Sequence, residues 1–296
     1  MELRVLRYFL TVVHEENITK AAEILHITQP TLSRQIKELE EELGTQLFLR
    51  GKSKITLTQE GMLLRRRAEE LIELADRTAR EFDGQEKMIE GEICIGAAEA
   101  FSMHTLAKQM KCFSTEYPRI RYNLLSGNAD DIKERIDKGL LDIGLLLEPV
   151  DIDKYEFLRL PIRERWGILM HQNSPLTEKE QIQPEDLINL PLLISKRFVV
   201  QNEIKNWYGS DYDKLNIIAT YNLIYNAAIM VEEGLGNAIT IDKLVSQNED
   251  RRVCFRPFYP ELLTGTVLVW KKHQVFSTAT TRFIEYVKAS LNQTQI

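Results

Sequence analysis

The chain has 296 residues, 44% of them hydrophobic, and a formal net charge of −6 at pH 7. That length and apolar content predict sizeable cores in roughly two or three domains. The acidic balance excludes a protein that coats nucleic acid over its whole surface, but it accommodates one small DNA-reading module on an acidic body. At the N-terminus, Leu3, Leu6, Phe9, Leu10 and Val13 form an apolar stripe at helical spacing. Glu2, Arg4 and Arg7 interrupt it, so no secretory leader is expected and the protein is expected in the cytoplasm. From Asn17 to Lys37 the pattern is two short helices around a tight turn at His26 and Ile27. Asn17 is placed to cap the first, Ile18–Leu25, and Thr28 the second, with Pro30 in its first turn where a missing N–H costs nothing.

In the second helix Leu32, Ile36 and Leu39 recur at i, i+4 and i+7 and should face a core, completing a three-helix unit. The opposite side carries Gln29, Pro30, Thr31, Ser33, Arg34 and Lys37, side chains suited to base edges and phosphates. Leu47 to Thr58 reads as two extended pieces around Gly51, a wing carrying Arg50, Lys52 and Lys54. Charge is segregated along this stretch. Segments 27–37 and 45–59 contain five basic residues and no acid, whereas Glu38, Glu40, Glu41 and Glu42 crowd the far end of the second helix. The basic end is expected to face DNA.

Thr58 is placed to cap a long helix running to about Glu86. Leu64, Ala68, Leu71, Ala75, Thr78 and Phe82 follow a 4-3-4-3-4 spacing, the seam of a two-stranded coil. A helix of about 28 residues would span roughly 40 Å, long enough to hold a reading head away from a body and to pair two heads on two half-sites. Residues 84–91 read as a hinge. Residues 1–58, 59–90 and 91–296 are therefore expected to be a DNA-binding domain, a linker with hinge, and a larger domain.

Beyond the hinge, strands alternate with helices: strand 92–96, helix 102–117, strand 121–125, helix 130–138, strand 142–147. A second series has strands at 165–170, 192–195, 215–220 and 237–240, with helices near 199–208 and 223–233. Strand 265–270 and helix 278–291 then return to the first series. The order implies two α/β lobes with largely parallel strands, lobe one about 91–161 plus 266–296 and lobe two about 162–265. This is the architecture of periplasmic-type solute-binding proteins. A ligand should sit between the lobes, where strand ends and helix N-termini converge. Ala100 and Ser102 follow the first strand, with Ser102 expected to cap a helix; Asn128 opens the next helix; Lys196 and Arg197 follow a strand of lobe two; Asn222 precedes another helix. Helix N-termini and the two basic residues favour a small carboxylate effector. Glu99 opposes a plain carboxylate, and an amino acid with its ammonium near Glu99 reconciles both.

Catalytic signatures are missing from the sequence. His14, His26, His104, His171 and His273 are scattered, and no nucleophile elbow, P-loop or dinucleotide fingerprint occurs. No cofactor or metal is expected. Cys94, Cys112 and Cys254 have neither even number nor CxxC spacing, and are expected to be buried structural thiols. The longest uncharged run, Leu215–Val231, is broken by Asn216, Thr220, Asn222 and Asn226, so no membrane span is expected.

The stretch AAEILHITQPTLSRQIKELEEELGTQLFLR, followed by LTQEG, resembles the N-terminal signature of LysR-type transcriptional regulators. Ala21-Ala22, Gln29-Pro30, Leu32-Ser33, Gln35-Ile36, Leu39-Glu40, Leu43-Gly44, Leu47-Phe48, Arg50, Leu57-Thr58 and Gly61 carry the match, and a weaker likeness extends over the rest of the chain. Many members carry an Arg three residues after the one matching Arg50; here that position is Ser53, flanked by Lys52 and Lys54, which can neutralise phosphate but not form a guanidinium fork. The resemblance implies an α/β chain with an all-α N-terminal winged helix-turn-helix, a long linker helix, and a C-terminal two-lobed effector domain like a periplasmic binding protein. It also implies linker-helix dimers paired into tetramers. The expected activity is transcription regulation on promoter or operator double-stranded DNA, with an effector altering assembly and contact with RNA polymerase. The competing class is a two-lobed binding protein or enzyme whose N-terminal helices only oligomerise it.

Overall fold

The computed structural model describes residues 1–50, 55–82, 89–245 and 252–293. Its chain forms two compact units, Met1–Gln85 and Glu86–Ile296. The first unit opens with α1 (Leu3–Glu15), α2 (Ile18–Ile24) and α3 (Gln29–Leu43), followed by a two-stranded antiparallel wing, β1 (Phe48–Arg50) and β2 (Ile55–Leu57), and the long α4 (Gln59–Phe82). Local chemistry sets the boundaries. The Asn17 carboxamide oxygen accepts the N–H groups of Thr19 and Lys20 at 2.8 and 3.1 Å, and the Thr28 hydroxyl accepts that of Thr31 at 3.4 Å. His26 takes a left-handed conformation between α2 and α3 (φ +53°), one of the residue types that tolerates it.

Leu6, Phe9, Val12, Leu32, Ile36 and Leu39 pack at 2% exposure or less around that core. Leu3 does not join them: it is 46% exposed, one turn too early to reach the other helices. Of the contacts that hold the wing, the sequence pattern gives only the Thr58 cap. Glu40, one of the crowded acids, turns inward and its Oε1 accepts the N–H groups of Leu47 and Phe48 at 2.7 and 3.2 Å. Thr58 donates to the Gln46 carbonyl at 2.8 Å and accepts the Gly61 N–H at 2.9 Å, capping α4. A Cβ on Gly61 would lie 2.2 Å from the Leu47 carbonyl oxygen, so the wing and α4 meet where only glycine fits.

On α4 the expected seam is divided. Ala68 is fully buried and Leu64 half-buried, both packed with Ile72 against the core of their own unit. Leu63, Leu71 and Leu74 are exposed at 61%, 39% and 39%. With Thr78 they cover a neighbouring stripe of about 80° on the helix. The coil spacing therefore runs along the margin between two faces, because 3.5-residue counting cannot say which side α1 takes. The Phe82 side chain and the wing tip 51–54, with Lys52 and Lys54, lie outside what is described, as do residues 84–88 of the expected hinge.

The second unit is built on one continuous sheet. Its strands are β3 (Gly91–Ala97), β4 (Ile120–Ser126), β5 (Ile143–Leu147), β6 (Tyr155–His171), β7 (Leu192–Ser195), β8 (Ile217–Tyr221), β9 (Asn237–Ile241), β10 (Val253–Pro257) and β11 (Leu263–Lys271), in spatial order β4-β3-β5-β11-β6-β9-β7-β8 with β10 also on β6. The helices are α5 (Met103–Glu116), α6 (Ala129–Asp137), α7 (Phe198–Tyr208), α8 (Ile224–Glu232) and α9 (Thr278–Gln293). β3 pairs in parallel with β4 and β5, and β7 with β8 and β9, as crossover helices require. β6 is longer than expected. Residues 155–165 pair antiparallel with β11 in lobe one, and residues 166–171 pair with β9 and β10 in lobe two. Pro161 sits where the β6–β11 register slips, a place that needs no ladder N–H.

Cys94 is buried, but Cys112 is exposed on α5 and Cys254 half-buried, so the expectation of three buried thiols fails for two. Among the described residues no helix is long and apolar enough to cross a membrane.

Candidate nucleic-acid interface and ligand cleft

Burying Leu32, Ile36 and Leu39 turns the other side of α3 to solvent. Gln29, Pro30, Thr31, Arg34 and Lys37 are exposed and Ser33 half-buried. All six lie on the first ten residues of the helix, whose N-terminus adds partial positive charge. Arg34 Nε lies 3.5 Å from Glu38 and Lys37 Nζ 3.2 Å from Glu41. Both pairs are on open surface, where such contacts are worth about 0–1 kcal/mol, so phosphate can replace the acids at little cost. Arg50 ends the first wing strand opposite Ile55.

The expected ligand cleft is a cavity of about 70 Å³ between the lobes. Of the expected residues, Asn128, Arg197 and Asn222 line it. Ala100 borders a neighbouring open groove of about 380 Å³ with Phe101, His104 and Lys243. Ser102 and Lys196 line neither. Ser102 already has helical torsions (φ −59°, ψ −14°), so its hydroxyl makes no cap bond and is buried without a partner among the described residues. The α5 N-terminus is met instead by buried Glu164, whose Oε1 accepts the Ser102 N–H at 2.8 Å. Lys196 falls on the other face of the chain from Ser195 and Arg197, as strand alternation dictates, and is exposed.

Asn128 is held in place: its oxygen accepts the N–H groups of Asp130 and Asp131 at 2.9 and 3.1 Å, and its nitrogen donates one hydrogen to Asp131 at 2.6 Å. Arg197 is 7% exposed. From lobe two its terminal nitrogens donate across the cleft to the carbonyls of Leu147 (3.5 Å) and Pro149 (3.3 Å), and Nε lies 3.6 Å from the Asp130 carboxylate. Burial pulls the guanidinium below its ordinary range, and Asp130 partly offsets this.

Glu99 makes the reverse crossing. Its Oε2, on the lobe-one loop after β3, accepts the N–H of Ile224 at 2.6 Å, the first residue of α8 in lobe two. Leu223, at the N-cap of α8, cannot supply a cap. Burial raises the Glu99 carboxyl above its usual range, and the Ile224 N–H pulls the other way. The sequence pattern sets Glu99 against a carboxylate and beside an ammonium, but gives no sign of its contact with α8, because that partner lies 125 residues along the chain. Tyr221, also lining the cavity, donates to the Ile239 carbonyl at 2.5 Å, and burial raises its phenol strongly. Ala98 and Leu147 of lobe one pack into the apolar cluster of lobe two. The lobes are thus drawn together over the cavity.

Residues 87–292 match the family model described as LysR substrate binding domain, and residues 3–62 that of the bacterial regulatory helix-turn-helix protein, lysR family. The chain is 27% identical over 312 residues to the uncharacterized HTH-type transcriptional regulator YcgK of Bacillus subtilis (strain 168), covering 99% of this chain and 96% of that one. It is 29% identical over 283 residues to the Hca operon transcriptional activator HcaR of Escherichia coli (strain K12), covering 93% of each. Among solved structures, full-length CbnR in complex with its target DNA superposes with a TM-score of 0.76 at 21% identity, over 98% of this chain and 100% of that one. Full-length BenM gives 0.55 at 26% identity, over 99% and 96%.

Proposed function

The chain belongs to the LysR family of DNA-binding transcriptional regulators with an effector-binding domain, and from that premise we propose how its own residues divide the work. Gln29, Pro30, Thr31, Ser33, Arg34 and Lys37 enter the major groove of promoter DNA, while Arg50, Lys52 and Lys54 hold flanking phosphates. Residues 1–58 form the reading head, 59–90 the linker and 91–296 the sensor. The observation that carries the reading is the exposed polar face of α3, opposite a helix face buried at 2% or less. The protein works in the cytoplasm as a homodimer or homotetramer. Supporting this are the exposed Leu63, Leu71 and Leu74 on α4, and Tyr225, Ile229 and Met230 exposed together on α8.

A small carboxylate or amino acid binds between the lobes against Asn128, Arg197 and Asn222. It shifts the population of two assemblies and so alters contact with RNA polymerase. The test is binding of the full chain to a duplex that it selects from a random library. Arg34→Ala should lose about 1–3 kcal/mol on that duplex and little on unrelated DNA. Equal loss on both, or none, overturns the assignment of α3.

A further inference from the structure

We infer that the cleft takes a small zwitterion, an α-amino acid or a close relative, with Arg197 meeting its carboxylate and Glu99 its ammonium. This rests on the reading that the effector binds between the lobes. The cavity between the lobes, about 70 Å³, is spanned by three bonds that run from one lobe to the other, so a ligand that bridges Glu99 and Arg197 takes its place as the lobes part. Parting them stretches the Glu99–Ile224 bond and the two Arg197–carbonyl bonds, because these run from one lobe to the other. What is released is one carboxylate on lobe one and one guanidinium on lobe two, both lining the same space.

In the closed cleft Glu99 is matched by the Ile224 N–H, whereas Arg197 is not well matched. Arg197 is 7% exposed, yet among the described residues its Nε has no hydrogen-bond partner, and the carboxylate it faces at 3.6 Å, Asp130, is itself 67% exposed. Its two carbonyl contacts are long for charge-assisted bonds. A buried charge stripped of its partner is costly, so a ligand must answer both groups. A simple carboxylate answers Arg197 but sets a second carboxylate beside Glu99. A simple amine answers Glu99 and leaves Arg197 unpaired. A molecule bearing both charges satisfies the two and ties the lobes together again. Trp166 and Leu244 supply apolar walls for a short side chain, and Ser195 and Thr240 neutral hydrogen-bonding groups.

The experiment titrates the full-length chain with the common L-amino acids, each beside its deaminated acid and its decarboxylated amine, reading thermal midpoint and tryptophan fluorescence. At least one amino acid should raise the midpoint while its acid and amine at equal concentration do not. Glu99→Gln, which keeps an acceptor for Ile224, should weaken that binding roughly tenfold to a hundredfold. Arg197→Lys should weaken it as well. An acid that binds as tightly as its amino acid, and tighter to Glu99→Gln, overturns the zwitterion. The cleft reading survives that result if Asn222→Trp abolishes acid binding, and fails with it if Asn222→Trp changes nothing. No binding by any member of the panel to wild type also overturns the proposal.

Discussion

Glu40 and Leu47, seven residues apart, are joined by a carboxylate that reaches back from α3 to the backbone entering the wing, 2.7 Å from the Leu47 N–H. The same oxygen accepts from Phe48, whose ring lies 5.2 Å from that of Phe9 in the helical core. One acid thus sets the angle between the recognition helix and the wing. Glu40→Ala leaves two half-buried N–H groups without that acceptor and should cost about 1–3 kcal/mol. Glu40→Gln, which can still present an oxygen, should cost less. Urea unfolding of the three proteins decides this, and an unchanged midpoint for the alanine variant would remove Glu40 from the account.

Lys37 is the last of the groove-facing side chains on α3, and its single ammonium, lacking the fork of Arg34, suits a phosphate at the groove edge. Lys37→Ala should weaken binding about equally on all DNA sequences. The slope of log affinity against log salt should become shallower by about 1. Anisotropy titrations at several salt concentrations measure both. A loss confined to the preferred sequence would make Lys37 a base contact instead.

The divided stripe on α4 predicts two different outcomes from similar changes. Leu71→Glu with Leu74→Glu, both on the exposed side, should leave a folded chain that sediments as a smaller species. Ala68→Glu, inside the core at zero exposure, should unfold the N-terminal unit by burying an unpaired charge. Sedimentation velocity and circular dichroism separate these outcomes. A double variant that stays fully assembled would move the subunit contact away from α4.

Glu99 gives a pH dependence of known sign. Burial raises its carboxyl above 4.5, so the folded chain holds this proton more tightly than the unfolded one. The stability linked to that proton is complete at pH values below the unfolded value and is lost as pH climbs through the raised one. Wild type should therefore lose stability relative to Glu99→Gln as pH rises from about 4.5 toward neutrality. Parallel curves for the two proteins across that range would show that burial does not dominate at Glu99.

Short-range chemistry explains which parts of this structure the sequence makes legible. Asn17 and Thr28 lie two or three residues from the N–H groups they cap, and Leu32, Ile36 and Leu39 announce their face by spacing alone. The first half of β6 gave no such signal. Arg159, Arg163, Glu164 and Arg165 crowd charge around Pro161, a pattern that reads as a loop until its antiparallel partner β11 is in place. β10, five residues ending in proline, is similarly faint. In the cleft, strand ends and helix starts were visible, but Glu99 meeting α8 and Glu164 meeting α5 depend on contacts 125 and 62 residues apart. Ser102 and Lys196 were misplaced because torsion and strand alternation, rather than proximity in sequence, decide where a side chain points.

The continuity of β6 and β11 limits how the two lobes can move. A 17-residue strand is about 55 Å long when extended, and its hydrogen bonds to β11 on one side of the junction and to β9 and β10 on the other resist stretching. Sheets deform most readily in twist and at irregularities, and the slipped register at Pro161 is one. Any opening of the cleft is therefore a rotation carried by two shared strands, like wringing a ribbon rather than swinging a door. Its amplitude is set by how far those strands can wind before a ladder bond breaks.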